Sequence, residues 1–411
     1  MQYVVTRADN EETIMPDEQP RAVSRFSPID AVLEAAVARG AVAGVVALAG
    51  DTNGILYEAA FGKRDLASDA AMDAETMFWF ASMTKIITSV AAMQLVEQGK
   101  LSLDAPISTV LPGLAAPQVL EGLAPDGTPR LRPARGAITL RHLLTHTAGF
   151  GYETWNAELG PAIAALGLPR VPETAEQHAR TPLLFDPGTR WNYSIATDLV
   201  GQAVAAASGQ DFDRYLAAHV LRPLGMVDCA FVMTADQAAR KARMHTREPD
   251  GSLTPNDLVT GMPGTLPRGG GGLHGTGRDY MRFLRMMLNG GSLDGVRILR
   301  PETVAEMGRN QIGAINGEKM LSAAPVTSYD AEFFPGLVTK WGLGFLINTE
   351  RSASGRSPGG LCWAGLGNTY YWIDPRRGIA GVLLTQSLPF ADPKVVDLLW
   401  DFERAAYAAV D

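Results

Sequence analysis

The stretch FWFASMTKIITSV at residues 78–90 places a lysine near the start of what reads as a buried helix. The residues that follow Lys85 are apolar on too many sides for a surface helix. The sequence therefore predicts a segment that runs through the interior of the protein and ends near Gly99. A lysine in such a segment needs a reason, because burying an unpaired charge is costly.

Ser82 and Lys85 stand at positions i and i+3, which lie on one face of a helix. The first turn of a helix also offers unpaired backbone N–H groups and the positive end of the helix dipole. A serine hydroxyl becomes a nucleophile when a neighbour takes its proton, and a lysine does so near neutral pH once burial or a nearby cation lowers its pKa. The pattern S-x-x-K is common by chance, however, and alone it favours a capping serine and a lysine that reaches solvent.

The composition is that of a globular protein with a substantial core. The chain has 411 residues, of which 46% are hydrophobic, and its net charge of −8 is spread without long charge runs. No basic patch is interleaved with aromatic residues, which argues against nucleic acid and anionic membranes as partners. No window approaches the roughly 18 apolar residues of a membrane span, and the N-terminus lacks a signal-peptide pattern, so we expect a cytoplasmic protein.

Both ends of the chain read as strands accompanied by a helix. Strand-like runs lie at 42–50, 54–62, 341–348, 368–378 and 379–387. The first two are joined by DTNG, a typical hairpin turn. A helix at 27–40, with a serine cap and a terminal glycine, precedes them, and a helix at about 393–409 ends the chain.

The middle of the chain is helical and rich in loops. The simplest architecture is α/β plus an all-α region: one antiparallel sheet built from both chain ends and flanked by helices, with a large helical insertion. We predict an N-terminal tail at 1–24, an α/β sheet domain formed by 25–80 and 311–411, and a helical domain at 81–310. The active site is expected at the interface of the two domains.

Three long stretches rich in proline and glycine exceed ordinary connection lengths. They lie at 112–137, 160–188 and 310–340. We expect them to form loops that rim the site.

Two further motifs have residues suited to catalysis. RWNYSIATD places Tyr193 at the start of a helix-like run, where its hydroxyl beside an ammonium group could act as a general base; an ordinary buried tyrosine is the alternative. CWAGLGNTYYW contains Ala364 and Gly365, whose small size allows a strand edge to approach a ligand. The N–H group of Leu366 could then point at that ligand, although a plain strand start is the alternative.

Taken together, in this order and spacing, the motifs resemble those of class C β-lactamases and penicillin-binding proteins, and most of all the family VIII carboxylesterases and acyltransferases of that fold. The supporting stretches are SMTK (82–85), ITLRHLLTHTAGFGY (138–152), FDPGTRWNYS (185–194), GGGGLHGTGRDYMRF (269–283) and WAGLGNTYYWIDP (363–375). They span most of the chain, and their combination is specific.

The resemblance implies a role for each matching residue. Ser82 would be the acylated nucleophile, Lys85 its activating partner and Tyr193 the base or proton shuttle. The N–H groups of Ser82 and Leu366 would form the oxyanion hole. Tyr152 would line the site.

Two departures from the β-lactamases bear on the substrate. They carry Tyr-x-Asn in the second motif, where Ile195 replaces the asparagine, and Lys-Thr-Gly in the third, where Trp363 replaces the lysine. The carboxylate of a lactam would lose its cationic partner, so an uncharged ester is the better expectation. The substrate-binding residues implied by the resemblance and the glycine-rich segment are Tyr152, Ile195, Trp363, Gly365 and His274.

The spacing of the histidines and cysteines gives little support for metal or redox chemistry. His142 and His146 have the spacing of a zinc pair but lack an intervening glutamate, so we assign them to helix packing and capping. Cys229 and Cys362 match neither a CxxC nor a zinc-ligand spacing and read as reduced thiols. We expect neither a metal nor an organic cofactor.

The predicted activity is that of a serine carboxylesterase, which cleaves small uncharged carboxylic esters or transfers their acyl group through an acyl-enzyme on Ser82. The alternative within the enzymes is a β-lactamase or D-Ala-D-Ala peptidase. The alternative of another class is a catalytically silent relative that serves as a binding or scaffold protein, which the intact Ser82, Lys85 and Tyr193 disfavour.

Overall fold

The computed structural model of the protein describes residues 25–170, 172, 174–261 and 266–411. The predicted N-terminal tail at 1–24 lies outside these residues. The α-helices are α1 (Ser27–Ala38), α2 (Thr84–Glu97), α3 (Leu140–Leu144), α4 (Leu159–Ala165), α5 (Ala175–Arg180), α6 (Ala196–Ser208), α7 (Phe212–Leu216), α8 (Ala235–Ala239), α9 (Gly277–Leu288), α10 (Pro301–Met307) and α11 (Pro393–Val410). The strands are β1 (Gly44–Asp51), β2 (Ile55–Gly62), β3 (Phe78–Trp79), β4 (Gln118–Leu123), β5 (Pro129–Pro133), β6 (Met244–Arg247), β7 (Leu253–Asn256), β8 (His274–Gly275), β9 (Ser292–Leu293), β10 (Val296–Arg297), β11 (Thr339–Trp341), β12 (Leu346–Asn348), β13 (Leu361–Gly365), β14 (Thr369–Asp374), β15 (Ile379–Leu384) and β16 (Ser387–Leu388).

A seven-stranded antiparallel sheet joins the two ends of the chain. Its strand order is β11-β12-β13-β14-β15-β1-β2. The N-terminal and C-terminal parts meet where β1 pairs with β15, with Val46 opposite Leu384 and Asp51 opposite Ile379. The prediction of one antiparallel sheet built from both chain ends is confirmed.

Helices cover both faces of this sheet. Tyr371 and Trp372 are neighbours on β14, so their side chains point to opposite faces. The Tyr371 ring lies 5.5 Å from that of Tyr280 on α9, and the Trp372 ring lies 5.3 Å from that of Phe402 on α11. Because both faces are covered, β14 and β15 are buried along their whole length. The division into two domains at residue 310 stays a prediction; α9, which precedes it, packs on the sheet.

The predicted interior helix is α2, which is buried without a break from Thr84 to Met93. It packs against α6. The helix ends at Glu97, and Gly99 follows with a φ of +68°, a left-handed value that glycine adopts without strain. The prediction of an interior segment that stops near this glycine is confirmed.

The strand predictions need two corrections. The run 341–348 is not one strand, because the chain reverses at Gly342–Gly344 and makes the β11–β12 hairpin; Gly344 has a φ of +102°. The stretch 112–137, expected as a loop, contains the β4–β5 hairpin. The DTNG turn is confirmed, with the Asp51 carboxylate accepting the N–H groups of Asn53 and Gly54.

Three smaller expectations can also be compared with the structure. Ser27 is the first residue of α1 rather than its cap, which is Phe26. Cys229 and Cys362 are buried and free, in agreement with reduced thiols. Within the described part of the chain, none of the helices has the length and hydropathy needed to span a bilayer.

A buried ion pair fixes α11 to the loop before β13. Arg356 donates to the Glu403 carboxylate at 2.7 and 2.9 Å, and the two side chains are 1% and 0% exposed. The guanidinium also faces the rings of Phe334, Trp372 and Trp400 at 5.2 to 6.0 Å. Removing one charge of such a pair leaves the other buried without compensation.

We therefore expect Glu403→Gln to lower the free energy of unfolding by about 3 to 5 kcal/mol in urea titrations. Asp401→Asn is the matched control on the same helix, because Asp401 and Arg404 form a pair whose side chains are 45% and 57% exposed. Its effect should stay below about 1 kcal/mol. Equal losses in the two variants would show that the buried pair is not a main support of α11.

Candidate active site

Ser82 lies on a short 3-10 turn, Ala81–Met83, directly before α2. Ala81 has a φ of +46°, a left-handed value that is strained for a residue other than glycine. The expected position of Ser82 at a helix start is confirmed, with the difference that α2 itself begins at Thr84. The turn presents Ser82 to a cavity.

Lys85 is held by three oxygen atoms. Its Nζ lies 3.1 Å from Ser82 Oγ, 3.0 Å from the Tyr152 hydroxyl and 2.7 Å from the carbonyl oxygen of Gly270. The side chain is only 2% exposed. The residues that the sequence predicted as nucleophile and activator are therefore in direct contact.

The surroundings of Lys85 favour loss of its proton. Burial lowers the pKa of the amine to about 7, while the Asp198 carboxylate opposes this shift and the Arg268 guanidinium adds to it. A neutral amine has two N–H groups and one lone pair. With the N–H groups directed to Tyr152 and Gly270, the lone pair faces the Ser82 hydroxyl.

Tyr193 lies on the other side of Ser82. Its hydroxyl interacts with that of Ser82 and accepts the indole N–H of Trp363 at 3.1 Å. Burial raises the pKa of Tyr193, and these two hydrogen bonds offset only part of the rise. The side chain is thus a neutral phenol near neutral pH, and the Lys85 amine lies 4.8 Å from its ring centre.

The glycine-rich run at 269–272 passes directly beside Lys85. Thr88 donates to the carbonyl of Gly269 at 2.7 Å, and the Trp79 indole donates to that of Gly271 at 2.7 Å. A β-carbon on Gly269 would lie 2.7 Å from the carbonyl oxygen of Thr197. The absence of side chains at these glycines therefore lets the backbone pass close to the cleft.

Gly365 brings β13 against the turn that carries Ser82. A β-carbon at this position would lie 2.2 Å from the carbonyl oxygen of Phe80 and 2.3 Å from Thr369 Oγ1. No larger residue fits without moving the strand. The next residue, Leu366, lines the cavity beside Ser82.

The cavity has a volume of about 190 Å³. Of the residues predicted for the site, those that line it are Ser82, Tyr152, Tyr193, Ile195 and Leu366. The 160–188 stretch contributes Arg170, Pro172 and His178 to its wall, so it rims the site as expected, although it contains most of α4 and all of α5 rather than being one loop. Trp79 and Trp155 add aromatic surface.

Trp363, Gly365 and His274 do not line this cavity. Trp363 is buried among the rings of Tyr193 and Trp341, at 4.7 and 4.6 Å. His274 is buried with Nε2 2.9 Å from Thr260 Oγ1, and burial lowers its pKa to about 4. The structure therefore places Trp363 behind Tyr193, where its N–H group binds the tyrosine hydroxyl.

Four charged or titratable residues at this site were not predicted from the sequence: Arg170, His178, Asp198 and Arg268 line the cavity. Asp198 stands in the first turn of the apolar helix α6, only five residues after Tyr193, and this isolated acid was a usable signal. Arg170 and Arg268 come from irregular segments and His178 from the short helix α5, and their sequences carry no comparable signal.

The two histidines with zinc-like spacing do not share a helix face. His142 forms a capping box with Thr139 at the start of α3, as predicted, whereas His146 follows the helix with a φ of +57°. His146 Nδ1 lies 3.1 Å from Ser194 Oγ, and burial, together with the charge of Lys85, lowers the pKa of its ring. Among the residues that the structure describes, no three His, Cys, Asp or Glu side chains are grouped as metal ligands.

Comparison with known proteins agrees with this geometry. The family profile described as beta-lactamase matches residues 29–406. The monacolin J acid methylbutanoyltransferase of Aspergillus terreus is 33% identical over 89% of this chain and 92% of its own. The lovastatin esterase of Penicillium rubens is 32% identical over 92% of this chain and 98% of its own.

A solved structure shows the same fold. A variant of simvastatin synthase from Aspergillus terreus superposes with a TM-score of 0.82 at 32% identity, over 94% of this chain and 96% of the other. The family match, the relatives and the shared fold all cover nearly the whole chain. The protein therefore belongs to the beta-lactamase family, as a class C β-lactamase-like serine hydrolase or acyltransferase.

Proposed function

We propose that this protein takes the acyl group of a small uncharged carboxylic ester onto Ser82 and passes it to water or to an alcohol. The observation that carries the proposal is the contact of 3.1 Å between Ser82 Oγ and the buried amine of Lys85, whose pKa is lowered to about 7. The relatives add support, since one is named as an acyltransferase and another as an esterase.

Acylation would begin with the transfer of the Ser82 hydroxyl proton to the lone pair of Lys85. The serine oxygen then bonds to the ester carbonyl carbon, and the electron pair of the C=O bond moves to the carbonyl oxygen. We assign the stabilisation of this oxyanion to the backbone N–H groups of Ser82 and Leu366, which flank the cavity.

Breakdown of the tetrahedral intermediate requires a proton for the departing alkoxide. Tyr193 is suited to supply it, because its phenol is neutral and its oxygen already accepts an N–H group from Trp363. We assign the replacement of the Tyr193 proton to the Lys85 ammonium, which packs against the tyrosine ring with Nζ 4.8 Å from its centre. The same groups, acting in reverse, would activate a water or an alcohol to release the acyl group.

The substrate class follows from the walls of the cavity near Ser82. The asparagine and lysine of the β-lactamase motifs are replaced by Ile195 and Trp363, and the Trp363 N–H group is engaged by Tyr193. Trp79, Trp155 and Leu366 add apolar surface. At the two replaced positions no polar or cationic side chain meets the substrate, and the arginines of the wall, Arg170 and Arg268, come from other segments, so we infer an uncharged acyl group or alcohol next to Ser82.

The first test concerns the nucleophile. Ser82→Ala should remove nearly all ester turnover and leave at most about 10³ to 10⁴ over the reaction in water, the part that binding and an oxyanion hole supply. A fluorophosphonate probe should label the wild-type chain at Ser82 alone, as read by peptide mass spectrometry. Labelling at another serine would refute the assignment, and no labelling would favour the silent binding relative.

The second test concerns Lys85 and pH. The proton acceptor must be the neutral amine, so kcat/KM should be low at acid pH and rise through a single pKa near 7. Lys85→Arg should be inactive across the range, because a guanidinium stays protonated. A rate that is flat between about pH 5.5 and 8.5 would show that Lys85 is not the base.

The third test separates the esterase from the β-lactamase. A cation facing a substrate carboxylate contributes roughly 1.5 to 3 kcal/mol, about one to two decades in kcat/KM, and Trp363 cannot provide it at the position where the β-lactamases place their lysine. A short-chain p-nitrophenyl ester should therefore be turned over far faster than a chromogenic cephalosporin by the same enzyme sample. Similar kcat/KM values for the two would favour the β-lactamase alternative.

A further inference from the structure

We propose that Asp198 is a positioning residue for Lys85, which it orients through the backbone of Gly270. The inference rests on the proposed function, in which Lys85 is the base. Asp198 has no direct hydrogen bond with Lys85 among the described contacts; it touches the glycine that holds the amine. Asp198 thereby orients the Lys85 amine and influences whether that amine is protonated.

The contact chain from Asp198 to Lys85 is short at each step. Asp198 Oδ1 accepts the N–H group of Gly270 at 2.7 Å, and the carbonyl oxygen of the same glycine accepts Lys85 Nζ at 2.7 Å. A β-carbon on Gly270 would lie 2.9 Å from Asp198 Oδ1, so helix α6 and the glycine run are in close contact there. The position of the Gly270 carbonyl therefore depends on the Asp198 carboxylate.

His178 supports the second oxygen of this carboxylate. Its Nε2 lies 3.6 Å from Asp198 Oδ2, and it is a fully buried atom with no hydrogen-bond partner in the described structure. Its Nδ1 lies 3.0 Å from the carbonyl oxygen of Thr174, which orients the ring. Burial raises the pKa of Asp198, but the contacts with His178, Lys85 and Gly270 lower it below its ordinary value, so the carboxylate stays ionised.

Two opposite charges thus act on Lys85 from two different segments. Asp198 on α6 stabilises the ammonium form, and Arg268, which precedes the glycine run, destabilises it. The other titratable groups that face the amine or its partners are Tyr152, Tyr193, His146 and His178. Burial holds both tyrosines neutral and lowers the pKa of His146, and His178 lies against Asp198 rather than Lys85. Asp198 and Arg268 are therefore the charges that act on the Lys85 equilibrium.

Asp198→Asn and Arg268→Gln test this arrangement, because they should shift the pKa of Lys85 in opposite directions. The asparagine keeps an oxygen for the Gly270 N–H group but removes the charge, so the ammonium loses support and the pKa of Lys85 should fall by about one unit. Arg268→Gln removes a repelling cation, so this pKa should rise. The acid limb of kcat/KM should move to lower pH in the first variant and to higher pH in the second.

The pKa can be measured without turnover, by NMR of ¹³C-labelled lysine with the Lys85 signal assigned by Lys85→Arg. Arg170→Gln is the matched control, because it removes another arginine of the cavity wall whose side chain is 82% exposed and screened by water. The pKa of Lys85 should stay unchanged in this variant. Asp198→Ala, which also removes the acceptor of the Gly270 N–H group, should lower kcat beyond the loss in Asp198→Asn.

The inference is overturned if the pKa of Lys85 does not move, or moves in the same direction, in Asp198→Asn and Arg268→Gln. If the aspartate variant fails to fold, Arg268→Gln alone tests whether the neighbouring charges set the pKa of Lys85. Opposite shifts in a protein that turns over no ester would support the effect of Asp198 on the charge state of Lys85 while refuting the proposed function. Ester turnover through Ser82 without any shift would refute only the positioning role.

Discussion

The buried amine of Lys85 is the constraint on which the site depends. An amine in the interior is tolerated only if each of its hydrogen-bonding positions is matched, and here three oxygens from three separate segments do this. The hydroxyl of Ser82 comes from the turn before α2, that of Tyr152 from the loop after α3, and the Gly270 carbonyl from the glycine run. Because all three must converge within about 3 Å of Nζ, the turn before α2, the loop after α3 and the glycine run pack around this one group.

The close approach of backbone to backbone follows from that requirement. Gly270 and Gly365 stand where a β-carbon would collide with a carboxylate or a carbonyl oxygen: Gly365 lets β13 reach the Ser82 turn, and Gly270 lets the glycine run lie against Asp198 on α6. Ala81 adopts a left-handed conformation just before the nucleophile. Strain and close approach of this kind persist only when the surrounding structure holds them in place, and here the pairing of β3 with β8 and the edge of β13 do so.

The aromatic residues around the amine set both its electrostatics and its selectivity. Tyr152, Tyr193 and Trp155 pack with ring centres 5.3 to 5.7 Å apart, and Trp363 supports Tyr193 from behind. These rings exclude water, which lowers the pKa of Lys85 and raises those of the tyrosines. Trp363, which stands where the β-lactamases place a lysine, thus donates its N–H group to the Tyr193 hydroxyl and does not line the cavity. The arginines of the cavity wall, Arg170 and Arg268, come from other segments.

The sequence by itself indicated the sheet from both chain ends and the interior helix, through hydrophobic periodicity and turn residues that act within a few residues of one another. The roles of Ser82, Lys85 and Tyr193 came from the resemblance of separate motifs to one family, and they stay predictions. Only the tertiary structure decided that Asp198, His178 and Arg268 share one cavity and that Trp363 lies behind Tyr193. The reason is that their contacts join segments far apart in the chain, and no local pattern encodes a distance that exists only after the sheet, α6 and the glycine run have packed together.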